Sequence, residues 1–182
     1  MCGPTLTGST VGIVGLGRIG AAVAERLRPF GISRILYHNR TKSSIEEKIG
    51  AERVPFEELL QKSDFVFATC ALTSDTRELF NEHAFSLMKP TSVFINTSRG
   101  GVVDQQALYN ALKTNKIFAA GLDVTTPEPL PTDSPLLTLS NCVVVPHIGS
   151  ATTETRSHMA ELCARNIIAA LKGDKMPAEL MM

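Results

Sequence analysis

Short apolar runs recur along the chain at residues 11–14, 35–37, 65–68, 93–96, 118–123 and 143–145. Several lack polar alternation, as parallel strands buried on both faces do. Helical patterns lie between them. Ile19, Val23, Leu27 and Phe30 recur at helical spacing just after a glycine cluster and predict a helix with one apolar stripe. Ser44-Ile45-Glu46-Glu47 has the spacing of a capping box, and Asp104 could cap a helix through Ala107, Leu108, Ala111 and Leu112. Residues 152–171, with Met159, Leu162, Cys163, Ile167, Ala170 and Leu171, predict one long closing helix. Residues 125–131, "TTPEPLP", hold three prolines without backbone donors and must form a stiff loop after a strand end. Strand and helix alternate from end to end. The pattern predicts an α/β, Rossmann-type fold: a doubly wound, mostly parallel sheet with helices on both faces, in a single domain over residues 5–172. Residues 173–182 read as a short tail with no core of its own, and the chain shows no internal repeat.

Composition narrows the partners. The 182 residues carry 18 lysines and arginines against 18 aspartates and glutamates, so no bulk field favours nucleic acid or an anionic membrane. No apolar run approaches the roughly 18 residues of a membrane span, and the start of the chain is no signal peptide. Cys2, Cys70, Cys142 and Cys163 are scattered without zinc-ligand spacing, which predicts reduced thiols in a cytoplasmic protein and no metal site.

The first candidate chemistry is Gly15-Leu16-Gly17-Arg18-Ile19-Gly20, a GxGxxG turn between a strand and a helix. Gly15 permits the tight turn, Gly17 the approach of a pyrophosphate, and Gly20 close helix–strand packing, with the helix N-terminus facing the phosphates. Arg18 can neutralise a phosphate; the spacing equally allows a solvated first-turn arginine. About 20 residues further on, an acid usually holds the ribose 2′-hydroxyl. Here stands Asn39-Arg40-Thr41 instead. Arg40 offers a charge-assisted fork to a 2′-phosphate, with Asn39 and Thr41 as neutral donors, so NADP(H) is preferred and NAD(H) possible. The competing reading has Arg40 stacked on adenine or in water, with both cofactors bound alike.

Arg99, Glu128 and His147 each lie just beyond an apolar run, where open α/β sheets bind ligands. An arginine suits a substrate carboxylate, and a histidine held by a glutamate suits proton transfer near neutral pH.

The segments "TVGIVGLGRIG", "NTSRGGVVD", "GLDVTTPEPLP" and "LPTDSPLLTLSNCVVVPHIGSATTETR" resemble the D-isomer-specific 2-hydroxyacid dehydrogenases, specifically the glyoxylate reductase/hydroxypyruvate reductase branch. The resemblance runs from about residue 6 to about residue 180. It implies that Arg99 orients a small 2-oxo acid, that His147 donates a proton to its carbonyl oxygen, and that Glu128 supports His147. It implies further that Asp123 holds the nicotinamide amide, although a capping carboxylate is the alternative. Cys70, Ala71, Leu72, Thr97 and Ser98 would line the cofactor, with Gly149 at the nicotinamide end. The family implies a homodimer, and a substrate domain formed mostly by a leading segment on the order of 100 residues. The expectation is that this segment lies outside the chain, that residues 173–182 belong to that domain, and that the chain binds NADP(H) but turns over glyoxylate or hydroxypyruvate poorly. Two other readings are a non-catalytic dinucleotide sensor of the corepressor type and an NAD-linked phosphoglycerate or D-lactate dehydrogenase.

Overall fold

The apolar runs are strands of one sheet. The computed structural model describes residues 2–179. Its strands are β1 (Thr10–Val14), β2 (Arg34–His38), β3 (Ala51–Arg53), β4 (Phe65–Ala68), β5 (Val93–Asn96), β6 (Ala119–Leu122) and β7 (Cys142–Val144). They lie in the order β3-β2-β1-β4-β5-β6-β7, and every neighbouring pair is parallel. The predicted doubly wound α/β architecture is what is observed. Strand ends differ from the predicted runs by a residue or so, the usual scatter at frayed ends.

Alternate residues of the central strands enter two different cores, which is why several of these runs lack polar alternation. Val11, Ile13, Ile35, Tyr37 and Phe65 pack with Ala24 of α1 (Arg18–Leu27) and Ile49 of α2 (Glu46–Ile49). Leu36, Val66, Ala68 and Phe94 pack with Leu59 and Leu60 of α3 (Phe56–Lys62), Phe85 of α4 (Glu82–Leu87) and Leu108 and Leu112 of α5 (Gln105–Lys113). Phe94 is the hub of the second core: its ring lies 4.8 Å from that of Phe80 and 5.4 Å from that of Phe85, in tilted and edge-on geometries that favour aromatic pairs.

Several local expectations fail for identifiable reasons. Edge strand β3, Ala-Glu-Arg, has no apolar run to betray it. Helix α1 forms, yet Ile19 and Phe30 of its expected stripe are exposed, and the small residues Gly20 and Ala24 are buried instead. Ser44 does not cap α2, whose N-cap is Ile45 without a side-chain bond. Glu46 is held by the Tyr37 hydroxyl and Lys42. Asp104 does cap α5, accepting from the amides of Gln106 and Ala107 at 3.0 Å.

The described residues divide into two compact units, one up to Pro146 and one from His147. The second holds α6 (Thr153–Lys172), capped by Thr152, with Gly173 in the left-handed conformation closing it. Its expected apolar stripe is mostly exposed; Met159, Ile167 and Leu171 are exposed, and Ala169 is the helix's buried residue. Asn166 clasps Ala178 through both backbone groups, at 2.9 and 3.0 Å, so the tail folds back along α6. Of the predicted tail, residues 180–182 lie outside the described residues. Among those described, no helix is long and apolar enough to cross a membrane.

At the amino ends of the central strands, Asp64 accepts from the Thr10 amide and from Lys89 Nζ, each at 2.8 Å. Partial burial works to raise its carboxyl pKa, but the Lys89 and Thr10 bonds outweigh it and hold the value below the ordinary 3.8. A depressed carboxyl contributes stability that is present above the unfolded-state pKa and lost as pH falls through the folded one. Asp64→Asn is expected to lower unfolding stability by about 1–3 kcal/mol at neutral pH. In urea titrations, the gap from the unmodified chain should close as the pH is taken below the ordinary carboxylate range.

Candidate dinucleotide site

The strand order reverses at β1, whose neighbours β2 and β4 send the chain away in opposite directions. A crevice must open above the carboxyl end of β1. There a cavity of about 390 Å³ is walled by Gly15 and Gly17 after β1, by His38, Asn39, Arg40 and Thr41 at the end of β2, and by Thr69, Cys70 and Ala71 after β4. The segment carrying Thr73, Asp75 and Thr76 completes it.

The glycine turn is held from both sides. The Gly15 amide donates to the His38 carbonyl at 3.0 Å, and Thr69 Oγ1 donates to the Gly15 carbonyl at 2.9 Å. Gly15 has φ of 103°, and a Cβ there would stand 2.5 Å from the Cys70 amide nitrogen; one at Gly20 would stand 2.5 Å from the Gly15 carbonyl oxygen. Gly17 differs: a Cβ on it would meet nothing within 4 Å, although the residue lines the cavity. The fold gives no reason for a glycine at this position. A pyrophosphate laid against the backbone and the start of α1 does, so the cradle fits a dinucleotide.

Asn39 does something the sequence did not suggest. Its Oδ1 accepts from the Leu16 amide at 2.7 Å and its Nδ2 donates to the Leu16 carbonyl at 3.4 Å, so the side chain grips the glycine turn. Ser43 Oγ donates to the same carbonyl at 3.0 Å, and the Ser43 amide donates to the Tyr37 hydroxyl at 3.1 Å. Burial, with the bond to Glu46, pushes the Tyr37 hydroxyl above its usual pKa. The hydroxyl therefore stays a neutral structural partner. Arg53 Nη2 donates to the carbonyls of Asn39 and Arg40 at 3.1 and 2.7 Å, fixing the backbone beneath the Arg40 side chain.

The remaining candidates of the first unit spread along the carboxyl edge of the sheet. Arg18 and Ile19 are exposed at the start of α1, and Leu72 is exposed beyond Ala71. Cys70 is half-buried, and burial raises its thiol pKa. At the end of β5, the buried Asn96 organises the turn that follows: its Oδ1 accepts from the Ser98 amide and hydroxyl, and its Nδ2 donates to the Arg99 carbonyl at 3.0 Å. Arg99 and Thr97 are exposed, and Arg99 Nη1 donates to the Ser98 carbonyl at 2.6 Å. The β5 and β6 loops are locked together, since a Cβ on Gly100 would stand 2.0 Å from the Thr125 carbonyl oxygen. Gln105 bonds both backbone groups of Thr126. On that loop Glu128 is exposed, its Oε2 accepting from the Thr125 amide at 3.4 Å, and Asp123 follows β6 directly. His147, with φ of 53°, opens the second unit, which also holds Gly149.

The glycines separate a ligand role from a folding role. Gly15→Ala should destabilise the chain by about 1–3 kcal/mol, because the added methyl strikes backbone. Gly17→Ala should leave stability within about 0.5 kcal/mol yet weaken dinucleotide binding by about tenfold or more. Thermal unfolding and a cofactor titration on the two variants check both.

Comparisons with known proteins agree with this geometry. Residues 1–149 match the family described as D-isomer specific 2-hydroxyacid dehydrogenase, NAD binding domain. The glyoxylate reductase/hydroxypyruvate reductase of Mus musculus is 56% identical over 181 residues, covering 99% of this chain and 55% of that protein. Among solved structures, the TT0316 protein from Thermus thermophilus superposes with a TM-score of 0.91 at 43% identity, over 99% of this chain and 56% of that one. The NADPH-dependent glyoxylate/hydroxypyruvate reductase of Sinorhizobium meliloti, solved with NADP and malonate, gives 0.89 at 35% identity, over 97% of this chain and 54% of that one. The chain thus spans about half the length of the relatives it matches. It belongs to the D-isomer specific 2-hydroxyacid dehydrogenases, and the part of them it carries is the NAD-binding domain.

Proposed function

We propose that the chain is the cofactor-binding part of an NADP(H)-dependent reductase of small 2-oxo acids, glyoxylate or hydroxypyruvate, yielding the D-2-hydroxy acid. The observation that carries the cofactor choice is Arg40: a cation lines the cavity immediately after β2, with Asn39 beside it where an acid would repel a 2′-phosphate. The Arg40 side chain is 86% exposed, and its backbone is anchored by Arg53. It can turn to a phosphate without moving the chain.

The names of the mouse relative and the Sinorhizobium structure support the substrate class and the use of NADPH. Gly15, Gly17 and the start of α1 would hold the pyrophosphate, Arg40 and Thr41 the 2′-phosphate, Cys70 and Ala71 the adenosine side, and Thr97, Ser98 and Asp123 the nicotinamide half. When bound, the dinucleotide supplies the hydride. Family resemblance assigns the other steps to this chain's residues. Arg99 takes the substrate carboxylate as a bidentate fork, His147 gives a proton to the carbonyl oxygen, and Glu128 favours the imidazolium that does so. Resemblance also assigns a homodimer, with residues 173–182 belonging to the substrate domain, and the scattered cysteines suit a cytoplasmic location.

Two variants test the cofactor assignment by different routes. Arg40→Ala should weaken NADPH binding by about tenfold or more, as loss of a charged hydrogen bond does, and leave NADH almost unchanged. Asn39→Ala, which loosens the glycine turn, should weaken both cofactors alike. Equal affinities in the unmodified chain, or an equal loss of both on Arg40→Ala, would contradict NADP(H) preference. Arg99 and Glu128 are both exposed, whereas catalysis by such charges gains from a closed, water-excluded cleft. Glyoxylate reduction by the chain alone should therefore fall well below the roughly 1–1,000 per second typical of enzymes; rates in that range would refute this part of the proposal.

A further inference from the structure

The Arg40 guanidinium already faces an anion. Its Nη1 lies 3.8 Å from Oδ2 of Asp75, and the two side chains line the same cavity, Arg40 from the end of β2 and Asp75 from the segment after β4. Asp75 sits on a firmly bonded turn. The Thr73 amide donates to Thr76 Oγ1 at 2.8 Å, Thr76 Oγ1 donates to the Ala71 carbonyl at 2.7 Å, and the Arg77 amide donates to the Thr73 carbonyl at 3.0 Å. Ser74 Oγ donates to the other carboxylate oxygen, Oδ1, at 3.3 Å. Arg53 pins the Asn39 and Arg40 carbonyls on the other side. Both backbones are fixed, so the Arg40 side chain itself is the part free to choose a partner.

We infer that Asp75 is a specificity-determining residue of this site: its carboxylate competes with the cofactor 2′-phosphate for Arg40 and sets how far NADP(H) is preferred over NAD(H). The inference rests on the NADP(H) reading above and deepens it. A 2′-phosphate carries about −1.5 to −2 charge, as other phosphate monoesters do near neutral pH. To reach Arg40 it must displace Asp75 and then tolerate a carboxylate nearby. A 2′-hydroxyl meets neither obstacle. Asp75 therefore tempers a preference that Arg40 alone would make steeper, and keeps NAD(H) usable. The pair is exposed on both sides, 86% and 68%, so its strength is that of a solvated ion pair and is screened by salt.

The test is a titration of the chain with NADPH and NADH across Asp75→Asn, Arg40→Ala and the double variant. Asp75→Asn should tighten NADPH about three- to fivefold, the range an exposed pair allows, and leave NADH within about twofold. The gain should shrink in the Arg40→Ala background and fade at about 1 M salt. If Asp75→Asn leaves NADPH unchanged or weakens it while Arg40→Ala still removes the preference, the role of Asp75 is overturned and the cofactor reading stands. If Arg40→Ala causes no selective loss of NADPH, both fall together. Asp75 and Arg40 are exposed, so thermal unfolding of each variant should match the unmodified chain within about 0.5 kcal/mol.

Discussion

Strand β1 has parallel partners on both sides, and its two neighbours carry the chain away in opposite directions. Every feature of the site depends on that constraint. The divergence leaves the carboxyl end of β1 uncovered, and the chain fills the opening with a glycine turn whose polar groups need partners. His38, Thr69 and above all Asn39 supply them. The result is a cradle shaped before any ligand arrives, with Gly17, the N-cap of α1, lining the cavity. Preorganisation of this kind reduces the ordering that binding would otherwise require.

The same economy appears further along the sheet edge. Asn96, buried at the end of β5, shapes the turn that presents Arg99. Gly100 lets that turn press against the β6 loop, which carries Glu128. Two asparagines, Asn39 following β2 and Asn96 ending β5, thus spend their side chains on backbone, each close in sequence to an exposed arginine.

How much of this the sequence revealed depended on the physics behind each signal. Strands buried on both faces must be continuously apolar, so the core strands and their alternation with helices were legible; β3, a three-residue polar edge, was not. Ile19 and Phe30 misled because helical spacing marks a face without saying which face is buried; Gly20 and Ala24 are buried here, and Ala21 and Leu27 pack partly buried beside them. Ser44 misled because the helix begins one residue later, at Glu46 with Ile45 as its N-cap, and the spacing of a capping box does not say where the first turn starts. Gly15, Gly17 and Arg40 could be located from spacing, since turn geometry and charge are local properties. The commitment of Asn39 to Leu16 and the pairing of Asp75 with Arg40 could not, because each needs two elements to be folded side by side; the bond of Asn96 to the Arg99 carbonyl is local, but no residue pattern marks the turn that makes it.

The central claim is that the carboxyl end of β1 is a ready-made dinucleotide cradle. The most direct measurement is the backbone amide spectrum of the isotope-labelled chain during an NADPH titration. The account predicts saturable shifts concentrated at Gly15, Leu16, Gly17, Arg40, Cys70 and Ala71, with little change around Asn115, Phe118 and Ser140, which line a separate cavity. No saturable shifts, or shifts centred on that other cavity, would contradict it.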